Sequence, residues 1–274
     1  MFLIDGQISE YLQVQDRGLH YGDGVFETIA VLQNSLLCWE AHYQRLKSGC
    51  ERLGIECPPA SILISDFSQL KQDSELAVLK IIITRGQGGR GYRSPDPETH
   101  VTRILGIYPW PDYPEKNYAE GVNTRICRMR LGHNPYLAGI KHLNRLEQVL
   151  ARSEWDQVDI AEGLMLDIND NVIEGTMSNL FIVTNNSLIT SDIVNCGING
   201  IIRQFILGLA PDVGLPVKIT TIKMQDLYNA DEIFLSNSVI GVWAVKMVES
   251  HQFEPGPWTE KIRNKLIEQK IIVR

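Results

Sequence analysis

Between residues 109 and 115 the chain reads Pro-Trp-Pro-Asp-Tyr-Pro-Glu, and no other stretch restricts the fold so strongly. Proline has no amide hydrogen to give to a helix or a sheet ladder, and its ring pushes the preceding residue out of the helical region. Three prolines in six residues stop either kind of element, so residues 110–120 are expected to be a linker between two bodies. A chain of 274 residues is long enough to build two cores. The expected division is a smaller N-terminal α/β domain over residues 1–109 and a larger C-terminal domain over residues 121–274.

In the first part, Phe2-Leu3-Ile4 followed by Asp5-Gly6 reads as a strand entering a hairpin turn. Asp16 to Thr28 is a glycine-punctuated loop that runs into a strand. Trp39, Tyr43, Leu46, Cys50 and Leu53 step by four, three, four and three, which predicts an amphipathic helix over 39–53, stopped by Gly54. Arg45 falls beside that stripe, and by pattern alone it is a surface arginine. Val78 to Thr84 is rich in β-branched residues and predicts a central strand, with Val101 to Tyr108 returning beside it. The loop between them, Arg85-Gly86-Gln87-Gly88-Gly89-Arg90-Gly91-Tyr92, has no Lys-Ser/Thr ending and opens no helix, so it is not a phosphate-cradling P-loop.

In the second part, Val122 to Met129 predicts a strand. Beyond it, Leu143, Leu146, Val149 and Leu150 recur at helical spacing, which predicts a helix opening near Lys141 with that stripe buried. Lys141 would then occupy the first turn, at the positive end of the macrodipole and just after the apolar run Leu137-Ala138-Gly139-Ile140. Both conditions favour a neutral amine, which can attack a carbonyl and form a Schiff base. A solvated helix lysine is the commoner reading of such a window. Gly163 to Ile168, a turn at Asn169-Asp170-Asn171, and the run from Val172 form a hairpin. Glu174 within it reads, alone, as an acid on a solvated face. Gly197 to Arg203 opens a helix that continues through Leu209; free amides at a helix start bind anions, and Gly200 permits close approach. Glu232 to Leu235 is a strand followed by a Ser236-Asn237-Ser238 turn, and Trp258 to Gln269 is an amphipathic helix with no visible chemistry.

Composition narrows the class. A net charge of -7 argues against a nucleic-acid surface, and 44% hydrophobic with 22% charged residues is ordinary for a soluble globular protein. The start, Met1-Phe2-Leu3-Ile4-Asp5, has no basic region, and no run is apolar and long enough to span a bilayer, so neither a secretory signal nor a membrane anchor is expected. Cys38, Cys50, Cys57, Cys127 and Cys196 are odd in number and never spaced as C-x-x-C. Reduced thiols in a cytoplasm are expected, with no disulfide framework and no zinc or other metal site.

The segment from Arg130 to Gln148, R-L-G-H-N-P-Y-L-A-G-I-K-H-L-N-R-L-E-Q, resembles the lysine region of the aminodeoxychorismate lyase family. That family belongs to the fold-type IV pyridoxal-phosphate group, alongside branched-chain and D-amino-acid aminotransferases. The similarity extends from Asp16 to about Val245. Asp16 to Glu27, D-R-G-L-H-Y-G-D-G-V-F-E, resembles the entry segment of the group, and Val172 to Phe181 matches its E-G-x-x-x-N-L-F signature. The fold implied is α+β, a two-domain D-amino-acid-aminotransferase-like enzyme with the cofactor in the interdomain cleft and its lysine on the C-terminal domain.

The resemblance also implies roles. Lys141 carries the cofactor through a Schiff base, and Glu174 pairs with the pyridine nitrogen, braced by Ser178 and Asn179. A carboxylate there keeps the ring protonated as an electron sink. Arg45, in the H-x-x-R-L arrangement with His42 and Leu46, reaches the phosphate, which a planar and permanently charged fork suits. The phosphate is otherwise held at Gly200 by the amides of Ile201 and Ile202, since Ile202 replaces the hydroxyl or thioether common in the family, and by Ser238. Thr28 occupies a place that lines the substrate pocket of lyase relatives, whereas Glu27 looks more like the aminotransferases. D-amino-acid aminotransferases carry an arginine and a histidine near the glycine-rich loop that trap the substrate carboxylate. Here the loop reads G-G-R-G-Y, as in aminodeoxychorismate lyases, so Arg90 and Tyr92 are candidates for the dicarboxylate substrate; a flexible exposed loop is the other reading. The expected function is a lyase that turns 4-amino-4-deoxychorismate into 4-aminobenzoate and pyruvate in folate biosynthesis, working as a homodimer on substrate supplied by aminodeoxychorismate synthase. The alternative is an aminotransferase for D-amino or branched-chain amino acids.

Overall fold

The computed structural model describes residues 1–70, 74–95 and 100–274. The chain forms two compact units, one of Met1–Pro111 with Ile140–Asn144, the other of Asp112–Gly139 with Arg145–Arg274.

The first unit is built on a six-stranded antiparallel sheet. Strands β1 (Phe2–Ile4) and β2 (Gln7–Ile8) form a hairpin. Its corner residues, Asp5 and Gly6, have φ of 52° and 81°, as a primed two-residue turn requires. A short helix, α1 (Arg17–Tyr21), follows, capped by the Asp16 side chain, which accepts a hydrogen bond from the Gly18 amide. Then come β3 (Gly24–Leu32), β4 (Ser35–Leu36), α2 (Trp39–Leu53), α3 (Ala60–Gln69), β5 (Leu76–Thr84) and β6 (Thr102–Pro109), with sheet order β2-β1-β6-β5-β3-β4. The β-branched run of β5 is central, with Ile81 and Ile83 buried, and Gly54 closes α2 in the left-handed conformation. Val25, Ile29 and Val31 of β3 pack with Leu46 and Cys50 of α2 in one core. Alternation therefore puts Glu27 on the same face as those core residues, and Phe26 and Thr28 on the opposite face.

The second unit starts with α4 (Lys116–Ala119), one turn of helix within the segment expected to be a pure linker; the three prolines all precede it. Strand β7 (Val122–Leu131) is followed by α5 (Leu146–Arg152), β8 (Ile160–Asp167), β9 (Asn171–Gly175), β10 (Asn179–Thr184) and β11 (Ser187–Thr190). Next come α6 (Ile201–Asp212), β12 (Val217–Ile219), β13 (Ile222–Lys223) and α7 (Met224–Tyr228), and finally β14 (Glu232–Asn237), β15 (Gly241–Val248), β16 (His251–Gln252) and α8 (Pro257–Glu268). The sheet order is β12-β11-β10-β14-β15-β7-β8-β9-β13 with β16 beside β15. An added pair, Asn179 with Glu174, joins β10 to β9 and closes the path β10-β14-β15-β7-β8-β9 on itself. Leu164, Leu180, Leu235 and Trp243 fill the core beneath it.

Two expectations around Lys141 fail together. The helix begins at Leu146, not near Lys141, and Leu146, Val149 and Leu150 are 74%, 56% and 56% exposed rather than buried. Pairing with β3 outcompetes helix formation in the preceding residues: the Phe26 amide donates to the Lys141 carbonyl at 2.9 Å, the Leu143 amide to the Gly24 carbonyl at 3.0 Å, and Val25 bridges His142. An extended segment held at both ends cannot also wind a first turn. The same contacts place Lys141 in the first unit, not in the C-terminal body.

Candidate active site

In the first unit, Lys141 projects its ammonium over an aromatic face, with Nζ 4.3 Å from the centre of the Phe26 ring. Such a face attracts a cation through its quadrupole and gives a planar group a flat apolar floor. Thr28 lies two residues along the same face of β3, opposite Lys80 of β5, whose Nζ is 5.5 Å from the Phe26 ring.

Arg45 is fixed by a partner that sequence reasoning did not provide. Its Nε donates to Glu27 Oε1 at 2.7 Å and its Nη2 to Glu27 Oε2 at 2.6 Å, a bidentate fork. His42 Nδ1 lies 2.6 Å from Glu27 Oε2. Burial pushes the Glu27 carboxyl up, but the charge and hydrogen bonds of Arg45, with His42, outweigh it and hold the pKa at about 2. Burial lowers His42, which therefore stays neutral at pH 7. Glu27 is thus engaged in orienting Arg45, and its likeness to aminotransferases carries no information about substrate.

Arg90 and Tyr92 are on an exposed loop, and Tyr92 is 88% exposed. The loop is tied to α1: Arg17 donates from Nη1 to the Gly91 carbonyl at 3.0 Å and from Nη2 to the Tyr92 carbonyl at 3.3 Å, and the Tyr92 ring lies edge-on to Tyr21 at 5.6 Å.

The second unit gathers the remaining candidates where the sheet closes. Glu174, at the end of β9, is 3% exposed, and its Oε2 accepts from the Ile198 amide at 2.9 Å and from Asn179 Nδ2 at 3.4 Å. Asn179 Nδ2 also donates to the Ile198 carbonyl at 2.9 Å. A Cβ on Gly200 would lie 1.9 Å from Asn179 Oδ1, so only glycine lets α6 start against this side chain. The first helical bond there runs from the Gln204 amide to the Gly200 carbonyl. The amides of Ile201 and Ile202 therefore have no acceptor inside the helix and carry its positive end. Across the sheet, Asn179 pairs with Ser236 of β14. The Ser236 hydroxyl is buried with no hydrogen-bond partner among the described residues. Asn237 Oδ1 accepts the amides of Val239 and Ile240, both at 2.8 Å, which forms the turn carrying Ser238.

Behind this group lies Glu162 of β8, which sequence reasoning missed. Its carboxylate accepts from the Thr176 amide at 3.1 Å, Thr176 Oγ1 at 2.5 Å, the Met177 amide at 3.2 Å and Ser178 Oγ at 2.8 Å, so it sets the turn between Glu174 and Asn179. A lone acid inside the apolar run of β8 was the available signal, because a buried carboxylate needs donors. Arg145 and Arg203 were also missed. Burial lowers both guanidiniums and the Glu174 carboxylate partly offsets it, so each lies within electrostatic reach of that acid. Arg203 Nη2 donates to the Ser191 carbonyl at 3.0 Å.

The first unit thus holds a lysine over an aromatic ring and an arginine locked by a buried carboxylate, the second a buried acid next to a helix start opened by glycine, and the fold is that of the fold-type IV pyridoxal-phosphate enzymes. The family model for class IV aminotransferases matches residues 24–248, and the chain belongs to that family. It is 33% identical over 97% of its length to a Vibrio harveyi protein named aminodeoxychorismate lyase, covering 99% of that protein. The crystal structure of 4-amino-4-deoxychorismate lyase from Pseudomonas aeruginosa superposes with a TM-score of 0.94 at 41% identity, covering 99% of this chain and 100% of that one. A hypothetical aminotransferase from Mycobacterium tuberculosis, solved in its PLP-bound form, has a TM-score of 0.84 at 19% identity over 100% of this chain and 99% of that one, which is a likeness of fold alone.

Proposed function

We propose that this chain is a pyridoxal-phosphate-dependent carbon-oxygen lyase that converts 4-amino-4-deoxychorismate to 4-aminobenzoate and pyruvate, a step that feeds folate synthesis. The observation that carries this reading is the full-length likeness to two proteins named for that lyase, at 33% and 41% identity. The residues fit the cofactor. The positive end of α6 and the buried Ser236 hydroxyl suit a phosphate dianion, and Arg45, whose Nε–Nη2 fork is held by Glu27, would add its permanent positive charge. We assign Lys141 to the covalent attachment, Glu174 to the ring nitrogen with Ser178 and Asn179 bracing it, and Arg45, Gly200, Ile201, Ile202 and Ser238 to the phosphate. Thr28, Arg90 and Tyr92 are assigned to the substrate.

The cofactor, its ring nitrogen held by Glu174, would supply a protonated pyridine as an electron sink for the substrate carbon that bears nitrogen. Lys141 Nζ then takes the proton from that carbon and returns a proton to the enolpyruvyl methylene as the ether C–O bond breaks. The Phe26 ring beneath Nζ excludes water from one side of that transfer. Pyruvate leaves and the carbocycle becomes aromatic, which makes the step irreversible.

We assign the working form to a homodimer, because Leu146, Val149 and Leu150 leave an apolar strip of α5 exposed. Leu146→Glu is then expected to shift the sedimenting species toward half its mass, and an unchanged mass would remove this argument. Aminodeoxychorismate synthase would supply the substrate, and five free cysteines suit a cytoplasmic enzyme. The decisive experiment supplies aminodeoxychorismate, made in place from chorismate and glutamine by the synthase, to the holoprotein and follows both products. Equal release of 4-aminobenzoate and pyruvate, abolished by Lys141→Ala, is expected. Wild-type rates in Lys141→Ala, or amino-group transfer to keto acids without 4-aminobenzoate, would overturn the reading.

A further inference from the structure

Outside the group assigned to the cofactor, three side chains of different ligand chemistry converge in the second unit. His133 follows β7, Asp167 ends β8, and Cys196 precedes α6; their nitrogen, carboxylate oxygen and sulfur all lie within 4.8 Å of one another. His133 Nε2 already lies 2.9 Å from Asp167 Oδ2. Asp167 and Cys196 are buried, while the His133 side chain is 22% exposed and opens one side to solvent.

A second, independent feature points to a cation. Asn171 Nδ2 donates to the same Asp167 Oδ2 at 2.8 Å, and the Asn171 Oδ1 on the same amide is buried with no hydrogen-bond partner among the described residues. Exchanging the two amide atoms would set oxygen against carboxylate, so the orientation is dictated and the oxygen is left without a donor. A buried acceptor with no donor has lost its hydrogen bond to water, a loss that a cation would relieve.

We propose that His133, Asp167 and Cys196, with Asn171 Oδ1, form a binding site for a thiophilic divalent cation, zinc foremost. Imidazole, carboxylate and thiolate together form a donor set of intermediate softness, which suits zinc and is unlike the all-oxygen shells of magnesium and calcium. Binding forms one zinc–sulfur bond and releases the Cys196 thiol proton to solvent, while the His133 ring takes the tautomer with its proton on Nδ1. Tetrahedral zinc with bonds of about 2.0–2.3 Å requires ligand atoms closer together than the widest separation here, so the Cys196 loop must close on the other two. That loop also carries Ile198, whose amide holds Glu174, and Asn195, whose carbonyl accepts from the Asn134 amide at 2.7 Å. An ion here would tie the end of β7, the β8–β9 hairpin and the start of α6 into one unit.

The test uses the holoprotein, stripped by chelator and then dialysed against buffered zinc ion, with metal and protein measured on both sides. One zinc per wild-type chain is expected, and His133→Ala and Cys196→Ser should each bind at least about tenfold more weakly while keeping the wild-type circular dichroism and cofactor band. Zinc-edge X-ray absorption of the wild-type protein at one equivalent gives a readout that needs no variant. It should show a single sulfur at about 2.3 Å with nitrogen or oxygen at about 2.0–2.2 Å. No retained zinc, a shell without sulfur, or variants that bind as tightly as wild type would each overturn the proposal.

Discussion

Glu27→Gln keeps the volume of a side chain that is 1% exposed and removes the charge on which Arg45 and His42 converge. The carboxyl is held at about 2 against an ordinary value of 4.5, and at about 1.4 kcal/mol per pH unit this preference for the ionised form is worth on the order of 3 kcal/mol. Removing one side of a buried pair costs about 3–5 kcal/mol by a separate route, so the two scales agree. A loss of about 3 kcal/mol from the first unit is expected at pH 7. The folded value lies below the unfolded one, so the stabilisation is complete above pH 4.5 and disappears as the pH falls toward 2. Linkage leaves about 2 kcal/mol of it at pH 3.5, and the gap between wild type and variant should narrow accordingly. Two compact units need not unfold as one, so the assay is native-state hydrogen exchange of the β3 and β5 amides at both pH values. A loss under about 1 kcal/mol at pH 7, the range of exposed ion pairs, or a gap that widens on acidification would refute the reasoning.

Gly200→Ala forces its Cβ into Asn179 Oδ1, so Asn179 must turn and release Ile198 and Glu174. Loss of about 1–3 kcal/mol predicts pyridoxal phosphate bound roughly ten- to a hundredfold more weakly in equilibrium dialysis, and unchanged affinity would separate Asn179 from the cofactor. Glu162→Gln points an amide NH2 at groups that already donate, among them Ser178 Oγ and the Met177 amide. A stability loss of about 1–3 kcal/mol is expected in thermal unfolding of the second unit, and a variant as stable as wild type would show that this turn holds without the acid.

What could be read along the chain was what repeats or stops over short distances. Helix α2 shows in its steps of three and four, β5 in its β-branched run, the β8–β9 hairpin in Asn169-Asp170-Asn171, and the break between the units in prolines 109, 111 and 114. Those signals are local, and nothing in the tertiary structure overrode them. Period failed at Leu143, Leu146, Val149 and Leu150, because hydrophobic spacing reports that a face is apolar and not what covers it. Motifs identified Lys141, Glu174 and Gly200 as candidates because each belongs to a long, ordered pattern, but they left the supporting atoms unseen.

Those atoms were decided by contacts that no period along the chain encodes. Arg45 meets Glu27 across 18 residues, and His133 meets Asp167 across 34. A C-x-x-C spacing is a metal signal visible along a chain, whereas His133, Asp167 and Cys196 come together from the ends of three separate elements. Sequence alone indicated α2, β5, the β8–β9 hairpin and the candidate residues, Lys141 and Glu174 among them. Only the tertiary structure determined that Lys141 lies extended against Phe26, and which buried charges meet. Those pairings depend on how strands close and on where a desolvated charge finds its partner, so they exist only once the chain has folded.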